Sequence, residues 1–169
     1  FQGVYLDWVE AYDDDKVIEK AKMDHVSPAE EMIDFIGKIR QRGRSLDPDF
    51  VAIAQNAPYL LDANPTAYKN VIDAISTEDT WYYGEGDADW DSDQAGDLLG
   101  GERQTGAYST DNRIEQNKKY LDLQIPVFTV DYCISKTKAT ATYQESRKNG
   151  FIPLVTRVAL SRITETPPF

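Results

Sequence analysis

Cysteine and histidine are nearly absent from this chain. Among its 169 residues, Cys133 is the single cysteine and His25 the single histidine. A lone cysteine excludes an internal disulfide and a cysteine metal cluster, and one histidine leaves no conventional zinc ligand set. We therefore predict neither a metal centre nor a cofactor.

Long apolar runs and positive charge are also scarce. No stretch approaches the roughly 18 apolar residues of a membrane span, and no signal peptide opens the chain. Lysine and arginine number 18 against 29 aspartates and glutamates, which gives a net charge of -11. A field of this sign repels nucleic-acid phosphates and attracts cations. We expect no membrane span and no nucleic-acid partner, and a cationic ligand fits the charge.

What the chain does have is five apolar, strand-like runs that each end in polar residues. They cover residues 1–8, 50–56, 74–79, 125–132 and 151–157. Buried parallel strands have this continuous apolar character, and α/β enzymes place functional groups at the C-terminal ends of such strands. The candidate site residues at these ends are Asp7, Gln55, Asn56, Glu78, Asp79, Asp131, Tyr132 and Arg157.

Helix signals lie between the runs. Ser27 precedes Pro28, and Glu30 follows three residues after Ser27, which is a typical helix start. The apolar face predicted for this helix, which ends near Gly43, consists of Met32, Phe35, Ile36 and Ile39. We predict further helices over 66–73, 109–122 and 137–149, and a charged loop over 10–24.

This alternation predicts an α/β fold with a parallel sheet, and two architectures fit it. One is a five-stranded doubly wound sheet. The other is a (β/α)8 barrel that lacks its N-terminal strands, with about strands 4 to 8 present. All five runs end in polar residues, and no glycine-rich phosphate loop follows any of them. Both features favour the incomplete barrel, as a single domain over residues 1–169.

An acidic, glycine- and aspartate-rich segment interrupts the pattern at about 85–108. Asp89, Asp91 and Asp93 stand at alternate positions, as in part of a calcium-binding loop. The glycine and the glutamate that complete such a loop are missing. A calcium-dependent binding domain is therefore kept as an alternative.

Paired carboxylates beside aromatic side chains are the groups that glycoside hydrolysis requires. One carboxylate acts as nucleophile or electrostatic stabiliser, and the other acts as general acid. The strand ends supply both kinds of group, because five aromatic side chains there could stack on sugar rings: Trp8, Trp81, Tyr82, Tyr83 and Tyr132. The sequence does not choose between a retaining and an inverting mechanism.

Four motifs in order carry a family resemblance: GVYLD over 3–7, Gln55-Asn56, ISTED over 75–79 followed by Tyr83-Gly84, and VFTVDY over 127–132. Together they resemble the endo-α-1,4-polygalactosaminidase family of glycoside hydrolases. The resemblance implies a secreted or cell-envelope barrel enzyme that cuts a cationic, galactosamine-containing polysaccharide. It also implies Asp7 as nucleophile and Glu78 as general acid/base. The predicted substrate contacts are Tyr5, Trp8, Asn56, Asp79, Tyr83, Asp131, Tyr132 and Arg157.

Other interpretations of these residues stay open. Asp131 could orient a neighbouring group, Asn56 could cap a turn, and Glu78 could form an ion pair with Arg157. A carbohydrate-binding or surface protein that has kept the barrel and lost catalysis is the main alternative function. Because the first three barrel strands of the family pattern are absent and Phe1 opens directly on a strand, we expect the native protein to contain more chain.

Overall fold

The computed structural model describes residues 2–99 and 106–162, and the chain divides into two compact units. The first unit runs to Ser76, and the second begins at Thr77. The predicted single domain over 1–169 stays a prediction. The strands are β1 (Gly3–Leu6), β2 (Val51–Gln55), β3 (Ala74–Glu78), β4 (Val127–Tyr132) and β5 (Ile152–Thr156).

The strands form one parallel sheet in the order β1-β2-β3-β4-β5, so strands that follow each other in sequence are also neighbours in the sheet. Leu6 is paired with Ala54, and Gln55 with Ser76. A doubly wound sheet reverses its strand order at a switch point, whereas a (β/α)8 barrel adds strands in sequence. The predicted α/β class is therefore confirmed, and the order is that of a barrel segment.

The predicted charged loop over 10–24 is wrong. A 3-10 turn (Val9–Asp13) leads directly into α1 (Asp15–Asp24). Asp14 caps this helix, since its Oδ1 accepts a hydrogen bond of 2.9 Å from the backbone N–H of Lys16. The run of aspartates is thus a helix start. Its high charge indicated a loop, although a short apolar stripe typical of a helix follows it.

The next helix, α2 (Pro28–Arg44), begins as predicted with Ser27 as its N-cap, but the predicted buried face is partly wrong. Ile33 and Ile36 are its buried residues, whereas Phe35 is 57% exposed. Phe35 lines an apolar groove of about 480 Å³ shared with α1.

The first unit also contains α3 (Leu60–Ala63) and α4 (Pro65–Val71). The carboxylate of Asp73, just before β3, ties α2 to the sheet. Its oxygens accept hydrogen bonds from Arg40 Nη2 at 2.8 Å, from Arg44 Nη2 at 2.9 Å and from the backbone N–H of Ala52 at 2.9 Å. Burial alone raises the pKa of Asp73, but the hydrogen bonds from Arg40 and Ala52 and the two positive charges outweigh it, so that the pKa is lowered.

We expect Asp73→Asn to lower the free energy of unfolding by about 1–3 kcal/mol, because charge-assisted hydrogen bonds to both arginines are lost. Urea unfolding at pH 7 would measure the loss. Since the folded-state pKa is lowered, the advantage of the wild type is complete above about pH 4 and disappears as the pH falls through the native pKa.

Asp34→Asn is the matched control, because it removes an exposed ion pair with Lys38 on the same helix. This control is expected to unfold like the wild type. Equal effects of the two substitutions would show that the contacts of Asp73 contribute no more than a surface pair.

The second unit contains α5 (Thr110–Asp122), α6 (Lys136–Lys148) and a 3-10 turn (Gly106–Tyr108). Its helices start at Ser109 and Ser135, whose side chains accept hydrogen bonds from backbone N–H groups of the first turn. Cys133 is buried against this unit's core, and burial raises the pKa of its thiol to about 12. This placement agrees with a packing role. Among the described residues, no helix is long and apolar enough to cross a membrane.

Candidate functional site

In the first unit, the predicted nucleophile Asp7 lies immediately after β1 and is exposed. Its Oδ1 accepts a hydrogen bond of 2.8 Å from the backbone N–H of Trp8. The same N–H donates to Gln55 Oε1, at the end of β2, over 3.0 Å. The Trp8 side chain is 73% exposed and that of Tyr5 is 50% exposed. These contacts place a carboxylate beside exposed aromatic surface.

Left-handed backbone follows each of the first three strands. Trp8 has φ 54°, Asn56 and Asp79 have φ 56°, and Ala57 has φ 54°. Asparagine and aspartate tolerate this conformation, but tryptophan and alanine adopt it at a cost. Strained backbone concentrates at functional sites, where the surrounding structure enforces it. The same backbone conformation occurs elsewhere, at His25, Asp97, Gln124 and Leu160, but here it follows three neighbouring strands in turn.

In the second unit, the predicted general acid/base Glu78 is the last residue of β3 and is half-buried. The hydroxyl of Tyr132, the last residue of β4, donates a hydrogen bond to Glu78 Oε1. Arg113 Nη1 on α5 donates to the Glu78 backbone carbonyl at 2.7 Å. The N–H of Asp79, which is half-buried, donates to the carbonyl of Val130 at 2.9 Å. The structure thus brings Glu78 and Tyr132 into direct contact.

Asp131 is fully buried at the end of β4. Its Oδ1 accepts hydrogen bonds from the backbone N–H groups of Trp81 at 2.6 Å and Tyr82 at 3.0 Å. Burial raises the pKa of this carboxyl to about 7; the two N–H donors and Arg113 lower it, and Asp79 raises it further. Of the roles predicted for Asp131, these contacts favour orientation of a neighbouring segment over contact with a sugar.

The acidic segment packs on this strand end. Tyr83, a predicted substrate contact, is bridged to Leu98 by two backbone hydrogen bonds of 3.1 Å. Both carboxyl oxygens of Asp97 accept hydrogen bonds from the backbone N–H groups of Ile134 and Ser135, just before α6. A Cβ atom on Gly96 would lie 2.7 Å from the Tyr132 carbonyl, so only glycine permits this approach. Residues 100–105 of the predicted 85–108 segment lie outside the described residues.

Arg157 follows β5 and contacts the same segment. Its Nη1 donates to the Trp90 carbonyl at 2.7 Å and lies 3.6 Å from Asp91 Oδ1. Its guanidinium also lies over the Trp90 ring at 5.4 Å. Asp91 pairs with Arg162 as well, at 3.0 Å. Asp91 is thus paired with two arginines. Within residues 2–99 and 106–162, no group of three or more acidic, histidine or cysteine side chains is arranged to hold a metal.

Side chains of α5, which the sequence did not predict at the candidate site, contact the end of β3. Arg113 and Asn117 face β3, where Asn117 Nδ2 donates to Thr77 Oγ1 at 2.8 Å. The buried positions of α5 include Arg113, Gln116, Asn117 and Tyr120, a helical spacing of three, four and seven. A polar stripe with this spacing could have predicted the contact of α5 with a strand end. Buried polar side chains need hydrogen-bond partners, and the end of a strand supplies them.

No family model matches the sequence. An uncharacterized protein of Deinococcus radiodurans is 25% identical over 170 residues, which cover 99% of this chain and 46% of that protein. The fold is similar to the glycoside hydrolase domain of PelA from Pseudomonas aeruginosa, with a TM-score of 0.65 and 14% identity over 96% of this chain. A variant of that domain gives a TM-score of 0.60 and 15% identity.

The chain spans about half the length of the proteins it matches, 46% of the Deinococcus protein and 56% of the PelA chain. At this identity, the structural likeness shows a shared fold. The parallel sheet described above therefore belongs to a fold similar to that of the PelA domain.

Proposed function

We propose that this protein is a glycoside hydrolase that cuts α-1,4-linked, galactosamine-containing polysaccharide, with Asp7 and Glu78 as its catalytic carboxyl pair. One observation carries the proposal. Two carboxylates occupy the ends of β1 and β3, which are both parallel to β2, in a fold similar to a glycoside hydrolase domain. Barrel enzymes build their active sites at the C-terminal ends of such strands.

The local contacts of the two carboxylates support different roles. Asp7 is exposed, so a sugar can reach it, and a hydrogen bond from a backbone N–H group fixes one of its carboxyl oxygens, as a positioned nucleophile requires. Glu78 is half-buried and receives a hydrogen bond from a tyrosine hydroxyl, which orients it for proton transfer to the glycosidic oxygen and back from water. We assign nucleophilic attack to Asp7 and general acid/base catalysis to Glu78.

The charge of the chain supports a cationic substrate. Deacetylated galactosamine units carry ammonium groups, and a net charge of -11 attracts them. Exposed Tyr5 and Trp8 offer aromatic faces for sugar stacking and for cation–π contact. We assign Asn56, Asp79 and Tyr83 to sugar hydroxyl or ammonium groups. A polysaccharide substrate of this kind also supports a location outside the cell or in its envelope.

The test is hydrolysis by the full-length protein of partially deacetylated α-1,4-galactosaminogalactan, followed as new reducing ends and as oligosaccharides in mass spectra. We expect cleavage of this polymer and none of chitosan, a β-1,4-linked cationic polymer that controls for charge alone. Binding of the α-1,4 polymer without cleavage would overturn the proposal in favour of a carbohydrate-binding protein.

A further inference from the structure

Tyr132 holds the carboxyl group of Glu78 through its hydroxyl. We infer that Tyr132 is a positioning residue, which fixes the Glu78 carboxyl group for proton transfer and does not act by contacting the sugar. The inference rests on the proposed function, because it gives Glu78 a catalytic role. It differs from the sequence-based expectation, in which Tyr132 is a substrate contact.

Tyr132 is itself held from several directions. It is 5% exposed, and its backbone N–H donates to the Tyr82 carbonyl at 3.2 Å. Its carbonyl accepts a hydrogen bond of 2.9 Å from the N–H of Asp97, and Gly96 packs directly on that carbonyl. A buried ring on a fixed backbone has few conformations, so its hydroxyl presents a stable donor.

The backbone around Glu78 is fixed as well. Arg113 binds the Glu78 carbonyl at 2.7 Å, and Asn117 binds Thr77 Oγ1 at 2.8 Å. Asp131 holds the N–H groups of Trp81 and Tyr82, just after Glu78 in the chain.

A glutamate side chain on such a backbone still rotates about three torsions. The hydrogen bond from Tyr132 restrains the carboxyl group itself, which lies beyond these three side-chain torsions. A general acid gains rate only when its carboxyl group is held within a small distance and angle of the leaving oxygen. Loss of the hydroxyl therefore removes this restraint on the carboxyl group and leaves the backbone contacts of Glu78 in place.

The test is a double-mutant cycle in the full-length protein with Tyr132→Phe, Glu78→Gln and the double variant, assayed on partially deacetylated α-1,4-galactosaminogalactan. Tyr132→Phe is expected to lower kcat by about 10- to 100-fold, the effect of a hydrogen bond to an ionisable group, and to change KM by less than about threefold. In the Glu78→Gln background, the same substitution is expected to have no further effect.

Tyr143→Phe is the matched control, since Tyr143 is also 5% exposed and its hydroxyl accepts a hydrogen bond from the backbone N–H of Val155. It should leave kcat unchanged, and circular dichroism should show that all variants are folded. An equal loss from Tyr132→Phe in both backgrounds, or a loss mainly in KM, would overturn the positioning role alone. Full activity of Glu78→Gln by itself would instead overturn the proposed function.

Discussion

Replacing Glu78 by glutamine or Asp7 by asparagine is expected to lower kcat on the α-1,4-galactosamine polymer by about 10³-fold or more. Each substitution keeps the size and hydrogen-bonding shape of the side chain and removes the carboxyl chemistry. A retaining glycosidase needs one carboxylate to form the glycosyl–enzyme bond and the other to move the proton. Loss of Asp7 prevents formation of the glycosyl–enzyme bond, and loss of Glu78 removes the proton transfer from both steps. About 1.4 kcal/mol of lost transition-state stabilisation corresponds to each factor of ten.

The controls are conservative changes of exposed carboxylates in the same chain. Asp49→Asn alters a residue just before β2, at the opposite end of the strands from Asp7. Glu19→Gln alters an exposed residue of α1. Both lower the net negative charge by one, as Asp7→Asn and Glu78→Gln do, so they separate catalysis from long-range attraction of a cationic polymer.

Asp7→Asn should unfold at the same temperature as the wild type because Asp7 is exposed, and Glu78→Gln should stay folded because glutamine can still accept the hydrogen bond from Tyr132. Wild-type turnover by either the Asp7 or the Glu78 variant, in a folded protein, would show that the carboxyl pair is not the catalytic machinery. With Asp7 as nucleophile, the first product of the wild type should keep the anomeric configuration of the substrate when followed by NMR, and inversion would make Asp7 a general base instead.

Asp131→Asn is expected to remove a large part of the pH dependence of stability. The pKa of Asp131 is about 7 in the folded chain, raised chiefly by burial, against about 4 in an unfolded chain. Below about pH 4 the carboxyl is protonated in both states, and its ionisation costs the fold nothing. Between about pH 4 and pH 7 the unfolded state releases the proton first, so the wild type loses stability as the pH rises.

Above about pH 7 the wild type has lost the full contribution of Asp131 to its free energy of unfolding. This loss amounts to a few kcal/mol, on the order of the pKa difference multiplied by 1.4. Asparagine can keep the hydrogen bonds from Trp81 and Tyr82 through its Oδ1 and cannot ionise. The difference in free energy of unfolding between the variant and the wild type should therefore favour the variant more strongly at pH 8 than at pH 4.

Urea unfolding of the wild type and the variant between pH 4 and pH 8 measures this difference. Asp87→Asn, at an exposed position of the acidic segment, is the control and should track the wild type at every pH. A stability difference between Asp131→Asn and the wild type that stays constant over this range would refute the raised pKa.

The local elements were largely predictable from sequence, since their signals lie within a few residues. The β2 run was predicted over 50–56 and forms Val51–Gln55, and Ser109 caps α5 as expected. The helix that begins after Asp14 was missed, because aspartates in a row indicate a loop and a helix N-terminus equally well. The burial of Phe35 was predicted wrongly because two apolar stripes run along α2. Periodicity alone does not tell which stripe packs against the rest of the protein.

The α/β class, the carboxyl and aromatic groups at the ends of the strands, and the net negative charge could all be read from the sequence. These properties depend on short-range pattern and on composition. The tertiary structure alone decided the sequential strand order, the contact of Tyr132 with Glu78 and the burial of Asp131. Each of these depends on residues that lie far apart in the chain, such as Tyr132 and Glu78, and only the packing of strands and helices brings such residues together.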